Sequence, residues 1–181
     1  MAEALAPPLP DDIDRLAAAV LQAACAAELR LASAESCTGG LLASLLTDIP
    51  GKSHAFERGF VTYTDEAKHE LLGVPKDILQ SAGAVSEPCA VAMAEGALKH
   101  SHADIAVSIT GFTEGGPGAP AGLVHLACAR RGQATRHRVE RFGDVGRAEV
   151  RLSALRVALT LFQDSLSALA AASRPALRRS P

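Results

Sequence analysis

The chain has 181 residues, 48% of them hydrophobic, which is enough for one domain with a sizeable core. A net charge of −2, with five Phe, one Tyr and no Trp, offers neither a basic patch nor stacking platforms, so direct nucleic-acid binding is not expected. No apolar run approaches the ~20 residues that cross a bilayer. The four cysteines are widely spaced and no secretory leader opens the chain, so we expect reduced thiols in a cytoplasmic protein without a membrane partner.

The first half of the chain predicts alternating helices and strands. Residues 1–10 contain three prolines and are expected to form a flexible arm, after which Asp11 and Asp12 supply N-cap chemistry. The predicted elements of this half are a helix over 11–28, a short buried strand over 29–34, a two-turn helix ending before Pro50, a strand over 56–64, and short helices over 66–72 and 76–81.

The second half predicts a helix, three strands and a long final helix. Ser86 is expected to cap the first of these helices. The predicted elements are a helix over 87–100, a strand over 104–110, a Gly- and Pro-rich loop over 111–120, a hairpin of strands 121–129 and 134–142, a helix over 147–171, and a frayed tail over 173–181.

This order of elements predicts the fold class and the edge of the sheet where a site would form. Alternating helices and strands followed by a hairpin indicate an α/β fold, a three-layer α/β/α sandwich with a mixed, largely parallel sheet, formed by residues 11–172 as a single domain. Loops at 35–40, 64–68 and 110–120 each follow a predicted strand. Since ligands bind beyond the carboxyl ends of strands in such sheets, we expect these loops to converge.

Ser36 and Lys68 are the candidate nucleophile and general base. A hydroxyl at a strand-to-helix turn is well placed for nucleophilic attack, and a lysine desolvated in a cleft can accept its proton. Helix capping by Ser36 and a solvated position for Lys68 remain open as alternatives.

Tyr63 and Cys37 are further candidates near this pair. The Tyr63 hydroxyl is placed to orient Lys68 or relay a proton to Ser36, although a strand tyrosine more often fills core space. Cys37 is a rival nucleophile, but a free cysteine is usually an inert small hydrophobic residue.

Backbone amides and one arginine complete the candidate site. Thr38, Gly39 and Gly40 would expose N–H groups to an oxyanion or a phosphate, although a plain turn explains them equally well. Thr110 and Gly111 begin a second Gly-rich loop, which would offer a second set of backbone amides to a ligand. A mobile surface loop would account for the same residues.

Arg147 and Arg151 begin the last helix, where the macrodipole disfavours positive charge, so they indicate an anionic partner or a salt bridge with Asp144 or Glu149. The six histidines form no metal-ligand pattern, and we assign neither a metal nor a cofactor.

Five motifs in order resemble the C-terminal domain family of the competence/damage-inducible protein CinA, from about residue 13 to 165. They are AESCTGG, VTYTDEAKHELLGV, GAVSEPCAVAMAEGA, ADIAVSITG and FGDVGRAEVR. The resemblance implies an α/β/α fold, frequent homodimers, no metal, and an amidohydrolase that converts the small-molecule nucleotide nicotinamide mononucleotide to nicotinate mononucleotide and ammonia. Longer relatives carry an additional N-terminal domain, so the likeness is to the stand-alone form.

The resemblance also implies roles for individual residues. It makes Ser36 the nucleophile, Tyr63 and Lys68 a proton-handling pair, Thr110 a substrate contact and Arg147 a cation on the substrate side. The chain departs from the family pattern after Thr110, where Thr-Gly-Phe-Thr-Glu-Gly replaces Thr-Gly-Ile-Ala-Gly-Pro. It also places its arginine two positions beyond the usual Gly-Asp-Arg.

Three other hypotheses accompany this assignment. Cys37 would be the nucleophile of an amidase assisted by Lys68 and Glu35. An altered 110–120 loop, in which Glu114 would repel a phosphate, would suit a non-catalytic module that binds a nucleotide or a protein partner. A role in DNA uptake or repair is suggested by the family name alone, and the weak charge and low aromatic content argue against direct DNA contact.

Overall fold

The structure is a computed structural model that describes residues 9–172, with side chains up to residue 169. Most of the predicted arm and all of the predicted tail over 173–181 lie outside the described residues. The elements in chain order are α1 Asp11–Ala26, β1 Leu31–Glu35, α2 Leu41–Thr47, a 3₁₀-helix Ser53–Ala55, β2 Phe56–Val61, α3 Asp65–Leu72, α4 Lys76–Ser81, α5 Glu87–Lys99, β3 Ile105–Gly111, β4 Leu123–Arg130, β5 Arg136–Arg141 and α6 Arg147–Ala172.

The five strands form one mixed sheet in the order β2-β1-β3-β4-β5. β2, β1 and β3 are parallel, and β4 is antiparallel to both of its neighbours, so four strands point the same way. Helices α1, α2 and α6 cover one face, and α3, α4 and α5 cover the other. The predicted three-layer α/β/α sandwich is therefore confirmed.

The central strands are buried on both faces because their side chains alternate between two cores. In β3, Ile105, Val107 and Ile109 pack with α1 and α6, whereas Ala106 packs with α5. Alanines on this second face let α5 lie close to the sheet. Gly96 of α5 allows a similar approach to α3, since a Cβ there would lie 2.0 Å from the Leu72 carbonyl oxygen.

Helix α6 has 26 residues and packs along α1 and the sheet. An ion pair joins it to α1, with Arg156 Nε 2.6 Å from an Asp12 carboxylate oxygen. No helix within residues 9–172 has a stretch long and apolar enough to cross a bilayer.

The structure corrects several predicted details at the ends of elements. Pro10, not Asp11 or Asp12, occupies the N-cap position of α1, and it makes no side-chain capping bond. The helix ends at Ala26 because the chain turns at Glu28, where φ is +54°. Strands β1, β4 and β5 each begin two residues later than predicted, and β2 ends at Val61 rather than at residue 64. The sequence does not predict the 3₁₀-helix. Ser86 does cap α5, accepting a 3.3 Å bond from the Cys89 amide.

Candidate active site

A cavity of about 240 Å³ lies beyond the carboxyl ends of β1, β2 and β3. The three loops expected to converge do meet there. The lining residues are Ser36, Cys37, Tyr63, Lys68, Ala84, Val85, Thr110, Gly111, Phe112 and Thr113. Drug-sized ligands usually occupy about 300–1,000 Å³, so this cavity suits the reacting end of a substrate rather than a whole nucleotide.

Ser36 and Lys68 are in contact inside this cavity. Lys68 Nζ lies 3.1 Å from Ser36 Oγ, and both residues are buried, with 1% and 8% of their surfaces exposed. Ser36 is held at the end of β1 because its amide donates to the Ile109 carbonyl of β3 at 2.9 Å. Its hydroxyl does not cap α2, whose N-cap position is Gly40.

Lys68 reaches the cavity from the first turn of α3, which Thr64 caps by accepting a 3.1 Å bond from the Ala67 amide. Its amine also donates to the carbonyl oxygens of Thr62 at 3.0 Å and Tyr63 at 3.3 Å. No carboxylate within residues 9–172 forms a salt bridge with it. Burial lowers the pKa of Lys68, and the smaller contributions from Cys89, Asp65 and Cys37 raise it.

Glu35 organises the turn that carries the nucleophile. Its buried carboxylate accepts bonds from the amides of Gly40 at 3.2 Å, Leu42 at 3.0 Å and Ala43 at 2.8 Å, and from Ser33 Oγ at 3.1 Å. Four donors face its two oxygens, so Glu35 serves as the cap of α2. A carboxylate engaged in this way is not available as a base for Cys37.

The N–H groups of Gly39 and Gly40 are already bonded within the protein, which corrects the prediction that the whole 38–40 turn exposes its amides to an oxyanion. Gly39 N–H donates to the Ser36 carbonyl at 3.1 Å, and Gly40 N–H donates to Glu35. The amides of Cys37 and Thr38, by contrast, have no acceptor among the described residues. The N–H groups left for an oxyanion are therefore those next to Ser36.

The Cys37 thiol is buried and protonated at neutral pH. Burial raises its pKa to about 11, against a smaller lowering by a backbone hydrogen bond at Cys37 itself; the Glu35 charge adds to the rise, and Arg151 and Lys68 oppose it. Only the thiolate is a strong nucleophile, so this environment disfavours attack by Cys37.

Tyr63 lines the cavity and is 67% exposed, so it does not fill the core. The part of Tyr63 that contacts Lys68 is its backbone carbonyl. No described hydrogen bond joins its hydroxyl to Ser36 or Lys68, so the structure does not place it as the relay between them. Glu114 is the main cause that raises the pKa of Arg147, and Tyr63 adds to the same shift.

Thr110 and Gly111 end β3 on the opposite wall. The Thr110 hydroxyl donates to the Ala84 carbonyl at 2.8 Å and so fixes the loop before α5. A Cβ on Gly111 would lie 2.7 Å from Val124 Cγ2 and 2.8 Å from the Leu123 carbonyl oxygen. Gly111 is therefore required for packing against β4, whatever its contact with a ligand.

Two arginines of α6 approach the site differently from the sequence prediction. Arg147 forms its ion pair with Glu114, at 3.0 Å, rather than with Asp144 or Glu149. Arg151 donates from Nη2 to the Thr38 carbonyl at 2.6 Å, and this bond ties α6 to the turn that follows Ser36. Its buried Nε and the buried Thr38 Oγ1 have no partner among the described residues.

A surface pocket of about 400 Å³ between α3 and α4 is lined by Asp65, Glu66, His69, Lys76, Leu79 and Gln80. A groove of about 540 Å³ between α1 and α6 is larger than the cavity, but alanine and leucine side chains dominate its lining. Within residues 9–172 there is no cluster of three or more His, Cys, Asp or Glu side chains arranged to hold a metal ion.

Comparison with protein families gives one match that spans most of the chain. The model of the CinA C-terminal domain matches residues 13–166. The chain belongs to the CinA C-terminal domain family. The five sequence motifs that suggested this family all lie within the matched range.

Solved CinA structures share the fold described above. The competence/damage inducible protein from Agrobacterium tumefaciens is 43% identical, with a TM-score of 0.85 over 90% of this chain and 99% of that one. A CinA superfamily protein from Escherichia coli is 39% identical, with a TM-score of 0.80 over 88% of this chain and 94% of that one.

Curated CinA relatives are longer than this chain. A CinA-like protein from Akkermansia muciniphila is 55% identical over 112 residues, which are 60% of this chain and 27% of that protein. A putative competence-damage inducible protein from Symbiobacterium thermophilum is 56% identical over 108 residues, or 58% of this chain and 25% of that protein. The match thus spans about a quarter of the length of these relatives.

Sequence reasoning missed three contributors to this CinA site. The sequence suggests Glu35 only as an assistant to Cys37, because a carboxylate five to eight residues before the amides it accepts from does not stand at a capping position of the helix. The Thr62 carbonyl leaves no signal in the sequence. The Glu114–Arg147 pair joins residues 33 positions apart, and the acidic departure at Glu114 was its one visible clue.

Proposed function

We propose that this CinA domain is a serine amidohydrolase that converts nicotinamide mononucleotide to nicotinate mononucleotide and ammonia. The observation that carries the proposal is the buried 3.1 Å contact between Lys68 Nζ and Ser36 Oγ, with no carboxylate paired to the lysine within residues 9–172. The reaction class rests on this pair, and the choice of nucleotide rests on the family resemblance.

The three hydrogen-bond partners of Lys68 accommodate an ammonium, which donates to all three, and also the neutral amine that the proposed mechanism uses as the base. A neutral amine has two N–H groups and one lone pair, and the carbonyls of Thr62 and Tyr63 accept the two N–H groups. The lone pair then faces Ser36, whose O–H donates to it. Burial lowers the pKa of Lys68 and so favours this protonation state.

The first half of the reaction forms an acyl-enzyme. Lys68 takes the Ser36 proton as Oγ attacks the carboxamide carbon, and the new C–O bond leaves a negative charge on the carbonyl oxygen. The Cys37 and Thr38 amides stabilise that oxygen, and such a donor typically contributes about 3 kcal/mol. Protonated Lys68 then gives its proton to the nitrogen, the C–N bond breaks, and ammonia leaves.

The second half regenerates the enzyme by the same proton path. Lys68, neutral again, takes a proton from water, which attacks the acyl carbon. The C–O bond to Ser36 breaks, Lys68 returns the proton to Oγ, and nicotinate mononucleotide is released.

The structure offers one observation in favour of a second function. Glu114 forms an ion pair with Arg147, the cation that the resemblance assigns to the substrate side. A non-catalytic module that binds a nucleotide would tolerate such a pairing, and it would bind without releasing ammonia. A cysteine amidase has less support, because burial keeps the Cys37 thiol protonated.

A coupled ammonia assay on nicotinamide mononucleotide, with nicotinamide and its riboside for comparison, tests the proposal. We expect Ser36→Ala and Lys68→Met to abolish ammonia release and Cys37→Ala to retain it. Ammonia release at the wild-type rate by Ser36→Ala would end the serine mechanism, and loss in Cys37→Ala alone would favour the cysteine amidase. Nucleotide binding without any ammonia release would favour the non-catalytic module.

The proposal also includes a cytoplasmic location and a homodimer. We place the reaction in the cytoplasm, because all four cysteines are free thiols. The homodimer implied by the family resemblance remains a prediction for measurement of molecular mass in solution.

A further inference from the structure

The mouth of the cavity carries an ion pair that the proposed chemistry does not use. Arg147 Nε lies 3.0 Å from Glu114 Oε1, and both side chains are about half or more exposed, at 49% and 64%. Glu114 directly follows Thr113, which lines the cavity. Tyr63 also lines the cavity. The ion pair therefore joins the start of α6 to the loop after β3, next to the cavity.

The loop that carries Glu114 is anchored at its base and freer at its tip. Phe112 and Leu123 are joined by a 2.9 Å backbone bond, and Gly122 donates back to Phe112 at 2.9 Å. Residues 114–118 beyond this base are exposed, and the tip is a small turn in which Gly116 and Ala119 exchange two 2.9 Å bonds. None of these backbone bonds involves Glu114, so its side chain can leave Arg147 without breaking them.

We propose that Glu114 is an internal competitor for the phosphate of the substrate: it occupies Arg147 in the free protein and is displaced when a ribose 5-phosphate group enters the mouth of the cavity. The choice of a ribose phosphate rests on the proposed function. The cavity itself holds only the reacting end of such a molecule, so its phosphate must lie outside, where Arg147 is held by Glu114, the residue that follows the lining residue Thr113.

The energetics allow this exchange. An exposed ion pair contributes little to stability because water and salt screen it, so a phosphate with two charges can replace one carboxylate. The carboxylate nevertheless lowers affinity, both by occupying Arg147 and by repelling the phosphate. Removing its charge should tighten the binding of ribose 5-phosphate about threefold to tenfold at low ionic strength.

The experiment measures binding of ribose 5-phosphate and of ribose by calorimetry at low salt, to the wild type and to Glu114→Gln. Glu149→Gln is the matched control, since it removes an exposed charge from the first turn of α6 where Glu149 contacts Ser153 and Arg156 instead. We expect tighter binding of ribose 5-phosphate by Glu114→Gln alone, and no change for ribose. At about 0.5 M salt the difference should largely disappear.

A double-mutant cycle with Arg147→Gln separates competition from a change in loop structure. If Glu114 competes for Arg147, the gain from Glu114→Gln disappears in the Arg147→Gln background. Equal or weaker binding by Glu114→Gln would overturn the inference, because Glu114 would then position Arg147 rather than compete for it. Absence of ribose 5-phosphate binding by both proteins would overturn it as well.

These outcomes are distinct from failure of the proposed function. A wild type that releases no ammonia from nicotinamide mononucleotide refutes the amidohydrolase, and the calorimetry still reports on Glu114. If the enzyme is active, the KM for nicotinamide mononucleotide should fall in Glu114→Gln, while the KM for nicotinamide riboside, which lacks the phosphate, should not.

Discussion

Replacement of Glu35 tests whether a buried carboxylate holds the turn that presents the nucleophile. Glu35→Gln preserves the shape of the side chain but exchanges one oxygen for an NH₂ group. With the amide oxygen placed to accept from Gly40 and Leu42, the NH₂ group faces Ser33 Oγ and the Ala43 amide. The Ser33 hydroxyl can rotate to accept, but the amide of Ala43 cannot.

The magnitude follows from these four bonds. One buried N–H loses its acceptor, which costs about 1–3 kcal/mol, and the bonds that remain lose the contribution of a charged acceptor. We expect Glu35→Gln to lower the free energy of unfolding by about 2–4 kcal/mol. Glu35→Ala removes all four bonds and leaves a void, so its loss should reach about 4–5 kcal/mol.

Urea unfolding followed by circular dichroism measures the effect as a lower midpoint with an unchanged slope. Glu70→Gln, an exposed change on α3, is the control and should stay within about 0.5 kcal/mol of the wild type. Because Ser36 follows Glu35 directly, ammonia release should also fall in Glu35→Gln. A Glu35→Gln protein as stable as the wild type would refute the capping argument.

Three further predictions concern the walls of the cavity. Burial holds the pKa of Lys68 below 10.5, so between the lowered value and 10.5 the unfolded chain binds the extra proton and stability rises with pH. The stability of the wild type relative to Lys68→Met should rise across that interval in urea titrations. Thr110→Val leaves the Ala84 carbonyl without its donor and should cost about 1–2 kcal/mol, with a raised KM. Gly111→Ala forces a Cβ to 2.7 Å from Val124, and its midpoint in thermal unfolding should fall in line with a loss of about 1–3 kcal/mol.

The sequence predicts the meeting of Ser36 and Lys68 through topology alone. Ser36 follows β1, and Lys68 lies just past the end of β2; adjacent parallel strands bring such loops to the same edge of a sheet. The fold is predictable for the same reason, since the periodicity of each element and the single hairpin leave few ways to connect five strands.

Side-chain direction is the part that the sequence does not determine. Tyr63 lies two residues beyond the end of β2, so strand alternation no longer fixes whether its ring faces the core or the solvent. Glu35 turns towards α2 only because the left-handed Gly39 and Gly40 fold the chain back on β1. The partner of Arg147 depends on a loop whose Gly and Pro content permits many conformations.

A buried amine and a buried carboxylate occupy the same small region, and they do not pair. Had Glu35 reached Lys68, the lysine would be held as an ammonium, with its pKa raised and no lone pair for Ser36. The three amides at the start of α2 prevent this, since they engage both Glu35 oxygens. The capping bonds of Glu35 thus have two effects. They fix the turn that carries Ser36, and they keep the Glu35 carboxylate from pairing with Lys68, which would hold the lysine as an ammonium that cannot accept the Ser36 proton.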